Sequence, residues 1–145
     1  MNRDLLGWLW VGGQAVLLGA LILLPGGDDW AIPTWVTVLL SMLFIGGLAL
    51  ICVSALGLGS ALTPTPVPTR SGTLTTSGLY RFVRHPIYTG VLAVVLSMTV
   101  RSGSWIHLFI GIAAFAFFDR KAAWEESQLR DRYPGYAEYL SLIHI

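Results

Sequence analysis

Charge is what this sequence is shortest of. Of its 145 residues only 12% are Asp, Glu, Lys or Arg, about half the share carried by an ordinary soluble domain. That excludes a soluble globule, and 54% hydrophobic residues with a mean hydropathy of +0.68 point instead to an integral membrane protein. Nine basic residues against eight acidic ones leave a net charge of +1, so there is no cationic surplus to bind nucleic acid. The single cysteine, Cys52, lies inside an apolar run, which excludes an intramolecular disulfide. Histidines, cysteine and carboxylates are nowhere grouped at ligand spacing, and nothing marks a metal centre. The length allows one domain of a few helices and no separate soluble module.

What is present is a series of apolar runs. Leu5–Leu24 carries no charge and is interrupted only by Gly12, Gly13, Gln14 and Gly19; as helix it can cross a hydrocarbon core of about 30 Å. With Arg3 as a basic flank it also has the outline of a signal peptide. The run is longer than the apolar part of such a peptide, however, and Pro25–Asp29 is a poor cleavage context, so a retained span is expected. Thr34–Leu56 is a second span, with Trp30 and Trp35 at its entrance, where aromatic rings favour the membrane interface. Gly46 and Gly47 permit a close helix contact within it.

Gly57–Thr73 carries Pro64, Pro66 and Pro68 in TPTPVP. Alternating prolines forbid a regular helix and favour an extended path; a plain linker and a strap offering backbone groups to a ligand both satisfy this. Ile87–Val100 and Trp105–Phe118 follow, each about fourteen apolar residues, or roughly 21 Å as helix. They predict a tight helical hairpin whose ends lengthen into polar flanks. His107, inside the second run, reads as a buried structural group.

Basic residues set the orientation. In a four-span arrangement Arg3, Arg70, Arg81, Arg84, Arg120, Lys121, Arg130 and Arg132 share one side, while Asp28 and Asp29 lie on the other with Arg101 as the one contrary charge. The positive-inside rule then makes both termini and the central loop cytoplasmic. The expected fold is an all-α integral membrane protein of about four transmembrane helices plus a C-terminal cytoplasmic amphipathic helix.

The chemistry concentrates in Leu74–Gly90, LTTSGLYRFVRHPIYTG. Proline at the first position of a helix surrenders an amide hydrogen that would have no partner there. The residue before it is pushed toward extended geometry, so His85 is expected at the mouth of a helix, with Tyr88 three residues on along the same face. A second constellation occupies Asp119–Tyr139, DRKAAWEESQLRDRYPGYAEY. Lys121 and Glu125 stand at i,i+4 and Gln128 and Arg132 continue their stripe, and Pro134 with Gly135 must end this helix near Tyr133. Alone it describes a salt-bridged interfacial helix; beside the Arg84–Pro86 segment it describes half of a site.

These two segments in this order, with LGSALTPTPVP before them, resemble the isoprenylcysteine carboxyl methyltransferase family, in particular its small bacterial members. The resemblance covers about Leu58–Tyr139; the first two helices match only in hydrophobicity. It implies a helical bundle that encloses S-adenosylmethionine at the cytosolic face and admits a lipophilic or lipid-modified acceptor from the bilayer. It implies cofactor binding by Tyr80, His85, Pro86, Ile87, Tyr88 and Glu125. Lys121 stands where the family has a substrate-facing arginine, and Glu126 completes the acidic pair. The exchange matters, since arginine grips a carboxylate through two parallel hydrogen bonds and lysine is a point charge. The chemistry agrees: His85 and the helix start suit the anionic end of the cofactor, Glu125 its cationic end. Transfer to an ionised carboxylate needs no base, whereas a phospholipid amine would need one, and Glu126 is the candidate.

The resulting expectation is one methyltransferase-like domain: two N-terminal membrane helices over 1–56 and a cofactor-binding core over 57–139, in a bacterial inner membrane with the site facing the cytoplasm. The last six residues, LSLIHI, resemble a translated transposon-end adaptor, so 140–145 is expected to be a non-native tail and His144 receives no role. The alternatives are a phospholipid headgroup N-methyltransferase, an NADPH-dependent reductase of the sterol-reductase type that shares an RHPxYxG signature, and a non-catalytic membrane scaffold. Reporter fusions after Gly27 and after Gly72 are expected to report opposite sides of the membrane; the same side for both would overturn this topology.

Overall fold

The computed structural model describes residues 2–59 and 76–143. The strap-or-linker stretch around TPTPVP and the terminal His144 lie outside the described residues. Those described form five α-helices, one 3-10 turn and no strand: α1 (Arg3–Leu23), α2 (Thr34–Leu58), the 3-10 turn Gly78–Arg81, α3 (Pro86–Arg101), α4 (Trp105–Arg132) and α5 (Tyr136–Leu142). Two of them, α1 and α2, are long and apolar enough to cross a membrane.

Local chemistry explains most boundaries. Asn2 caps α1, its side chain accepting from the Asp4 amide at 3.2 Å, and Asp4 sits where the helix dipole favours an anion. Pro86 opens α3. The polar helix expected over Asp119–Tyr133 is not a separate element: it continues the second hairpin helix, so that α4 runs 28 residues without a break. No glycine or proline falls between Gly111 and Pro134, and the stretch is rich in Ala, Lys, Arg, Glu and Gln, all strong helix formers. Its end is where proline requires it, with Tyr133 as C-cap.

Inside the bundle α3 touches α1, α2 and α4, and α1 also packs on α4. The backbones of α2 and α3 meet at two glycines. A Cβ added at Gly47 would stand 2.7 Å from the Gly90 carbonyl oxygen, and one at Gly90 would stand 2.7 Å from the Gly47 carbonyl oxygen. Small residues permit such contact, which is the main route to tight helix association in lipid. Of the glycine pair in α2 only Gly47 does this work; Gly46 has open space beside it. The enclosed apolar core is small, Leu21, Val95 and Ala114 at its centre, because much of the apolar surface faces outward (Trp35, Met42, Ile45, Leu56, Phe109 and Ile112 among them). The hydroxyls of Ser41, Ser54 and Ser97 bond back to the carbonyls of Thr37, Leu50 and Ala93, which satisfies polar groups where lipid offers none.

One end of the bundle is tied by the α1–α2 loop. Gly27 and Asp29 amides donate to Ser102 and Gly103 carbonyls, each at 2.8 Å. The Asp29 carboxylate accepts from the Trp105 amide at 2.9 Å, supplying from another loop the cap that α4 lacks on its own. Trp30 donates to the Val100 carbonyl at 3.0 Å and meets Trp105 edge to face. Gly103, at φ +61, leaves room for the Gly27 carbonyl. His107 lies near this end, buried as expected, and its Nδ1 has no partner among the described residues.

Gly90→Ala is expected to overpack the α2–α3 contact and cost on the order of 1–3 kcal/mol, read as a lowered unfolding temperature in detergent. Gly46→Ala, one position from the contact, is expected to leave that temperature unchanged or slightly raised.

Candidate active site

At the other end of the bundle the start of α3 faces the polar half of α4. His85 is the N-cap of α3, at φ −129 and ψ 67, so its ring leaves the helix mouth and lies over Tyr88 with centroids 5.4 Å apart. Across from it, consecutive acids of α4 face one ring nitrogen each. Nε2 is 3.1 Å from Glu126 Oε1, and Nδ1 is 3.9 Å from Glu125 Oε2. The first is a hydrogen bond; the second is beyond hydrogen-bond reach. Arg84 Nη1 stands 3.9 Å from the same Glu126 oxygen.

Arg84 also reaches α5. Its guanidinium donates to the Leu140 carbonyl at 3.1 Å and to the Ile143 carbonyl at 2.7 and 3.1 Å, closing carbonyls that a helix C-terminus leaves open. The Tyr139 hydroxyl donates to the Tyr80 carbonyl. Tyr136, Tyr139, Leu140 and Ile143 form a small buried cluster, so α5 is anchored over the 3-10 turn. The tail expected to be foreign thus has two of its residues, Leu140 and Ile143, packed in the protein.

Glu125 is the most constrained group. Its Oε2 is enclosed and has no hydrogen-bond partner among the described residues. Burial pushes its carboxyl above the usual range, with His85, a hydrogen bond from Tyr88 and Lys121 pulling it back and Glu126 adding to the rise. A buried carboxylate oxygen with no donor is a socket for a cationic group. Lys121, beyond the apolar part of α4, is 3% exposed, and burial lowers its ammonium below the lysine norm while Glu125 opposes that. Its Nζ donates to Gln14 Oε1 of α1 at 2.5 Å and lies 5.1 Å from the Tyr88 ring centroid.

A cavity of about 420 Å³ opens beside these groups. Arg84, His85, Tyr88, Asp119 and Glu126 line its polar end, and Leu92, Phe115 and Phe118 its apolar side. Of the residues expected from the sequence, His85, Tyr88 and Glu126 reach the cavity, and Glu125 joins them from behind His85. Tyr80 is buried in the 3-10 turn, near enough to Glu125 that the carboxylate raises its hydroxyl pKa, after burial itself. Pro86 and Ile87 form the helix start and do not line the cavity, nor does Lys121. The sequence reading omitted Arg84, Asp119 and Gln14. Asp119 could have been found from its i,i+7 spacing to Glu126 on one helix face, and Arg84 adjoins the motif. Gln14 had one signal, a lone amide in an apolar span that needs a partner.

The profile of the phospholipid methyltransferase family matches residues 35–135, which takes in α2 from its second residue, α3, all of α4 and the His85–Glu126 pair. The chain belongs to this family. Comparison with curated proteins and with solved structures found no match. This phospholipid methyltransferase family member is thus a membrane-associated methyltransferase, of a family related to the isoprenylcysteine enzymes that the sequence resembles.

Glu125 carries a pH dependence whose sign follows from its raised value. The folded state holds a proton that the unfolded chain releases above the ordinary 4.5, so stability present below that pH is lost as pH rises through the folded value. The unfolding temperature of the protein without ligand is expected to fall across that window. Glu125→Gln is expected to flatten the fall, and an unchanged slope would assign it to another group.

Proposed function

We propose that this protein transfers the methyl group of S-adenosylmethionine to the amine of a phospholipid headgroup. The reading rests on one observation: the cavity wall carries two carboxylates, Asp119 and Glu126, with Arg84 3.9 Å from the second, and also carries Leu92, Phe115 and Phe118. An amine-bearing phospholipid offers the complement, an ammonium for the carboxylates, a phosphate for Arg84 and an acyl chain for the apolar side.

The residues fit the cofactor. The unpartnered Glu125 Oε2 suits its ammonium, and His85 with the first turn of α3 suits its carboxylate. When bound, the cofactor supplies an electrophilic methyl group whose C–S electron pair departs on sulfur. The protein's tasks are to align the acceptor nitrogen with that carbon, to exclude water and to take a proton. The headgroup ammonium must lose a proton before its lone pair can attack. Glu126 is the acceptor for that proton, held by its hydrogen bond to His85 Nε2. The site's end of the bundle carries Arg3, Arg81, Arg84, Arg120, Lys121, Arg130 and Arg132, which favours a cytoplasmic face, with α1 to α4 as four spans of a bacterial inner membrane and α5 packed at that surface.

The isoprenylcysteine-type alternative needs a cation for the acceptor carboxylate. Lys121, at the position of the family's arginine, does not line the cavity and gives its ammonium to Gln14. Arg84 suits a carboxylate or a phosphate equally, so it is the two acidic side chains on the wall that favour the amine reading.

Full-length protein in nanodiscs containing phosphatidylethanolamine, with a prenylated cysteine added, should send label from methyl-labelled S-adenosylmethionine into the lipid amine. Glu126→Gln is expected to lower that rate by roughly 10²-fold or more, the ordinary weight of a general base. Label in the prenylcysteine carboxylate, insensitive to Glu126→Gln, would establish the carboxyl reading. Saturable NADPH binding without any response to S-adenosylmethionine would establish the reductase reading.

A further inference from the structure

Gln14 is the one polar side chain in the membrane interior of α1, and it lies outside the residues that the family profile matches. An amide at that depth is retained in a helix at a cost unless it finds a partner. It finds Lys121, 107 positions away, at 2.5 Å. The ammonium is thereby fixed against two rings, 5.1 Å from the centroid of Tyr88 and 5.8 Å from that of Phe118, a cation–π arrangement favoured when water is excluded. One turn further along α4 is Glu125. The interaction therefore runs from α1 through Lys121 and Tyr88 to the carboxylate with the unpartnered oxygen.

We propose that Gln14 is a positioning residue: it holds Lys121 against Tyr88 as a fixed counter-charge of Glu125, beside His85, and keeps that carboxylate ready for the cationic end of the cofactor. The cofactor part rests on the function proposed above; the positioning part does not.

The alternatives for that counter-charge can be enumerated. Glu125 is faced by Lys121 and Glu126 from α4, by His85 and Tyr88 from the start of α3, by Tyr80 from the 3-10 turn and by Tyr136 from α5. Among these His85 Nδ1 stands 3.9 Å from Glu125 Oε2, and Lys121 is the group that α1 holds, through Gln14. Without the amide, the ammonium loses its hydrogen-bond acceptor in a buried place. Its neutral form gains, and Glu125 then retains its proton to higher pH.

The test uses the full chain in detergent and two readouts, unfolding temperature without ligand against pH from about 5 to about 9, and calorimetric titration with S-adenosylmethionine over the same range. For Gln14→Leu the expected result is a change in shape of the unfolding profile, its fall with rising pH displaced upward by about one pH unit, and cofactor affinity near neutral pH weakened about ten-fold. Gln14→Glu, which offers Lys121 an anionic oxygen instead, is expected to restore both. Lys121→Met is expected to reproduce Gln14→Leu, with little further change when the two are combined. Unfolding curves for wild type and Gln14→Leu separated by a constant offset would mean lost packing alone, and would overturn the proposal whatever the cofactor does. A wild type that shows the displaced profile in Gln14→Leu yet ignores S-adenosylmethionine would sustain the positioning role and sink the functional reading.

Discussion

The hydrogen bond between His85 and Glu126 joins the two elements on which the site depends, the mouth of α3 and the polar half of α4. Pro86 makes it possible by starting the helix one residue after His85, which leaves the imidazole at the helix mouth, free to point across to α4. From that contact the other groups take their positions. Arg84, the residue before, is drawn to the same glutamate and to the carbonyls of α5. Tyr88, the next residue on that face, stacks beneath the ring. Glu125 is left with an enclosed oxygen because its neighbour has taken the imidazole's nearer nitrogen.

Around this polar end the molecule obeys the rules of an apolar solvent. Hydrophobic burial does not drive helices together in lipid, so the bundle relies on backbone approach at Gly47 and Gly90 and on polar groups that close on themselves. Each buried polar group then acquires unusual weight. Gln14 and Lys121 are such a pair, and their contact ties α1, which lies outside the family match, to the cavity's back wall.

Much of the fold could be read from the sequence for reasons that are local. Length and composition limit a membrane helix, so the ends of α1 and α2 fall within two residues of the apolar runs. Pro86 and Pro134 mark a start and a stop by covalent geometry alone. The histidine at the helix mouth followed from the same argument. The continuity of α4 was underestimated because a change from apolar to charged residues looks like a boundary, whereas helix propensity is unaffected by it. The direction of Lys121 could not be read at all. Within α4 its spacing permits a contact with Glu125 and an approach to the cavity alike, and the choice is made by an amide on another helix. Arg84's hold on α5 is of the same long-range kind.

The unbroken α4 has a consequence for depth. At about 1.5 Å per residue, Glu126 stands roughly 12 Å beyond Phe118 along one rigid axis. Had the chain kinked at the boundary, the acids would lie flat on the surface wherever the lipid headgroups happened to be. On the proposed four-span reading the single rod works like a depth gauge, its apolar part registering the bilayer and its polar part carrying the carboxylates to a set height. A thicker or thinner membrane shifts that height, or tilts the rod, and so moves the acids relative to the layer they face.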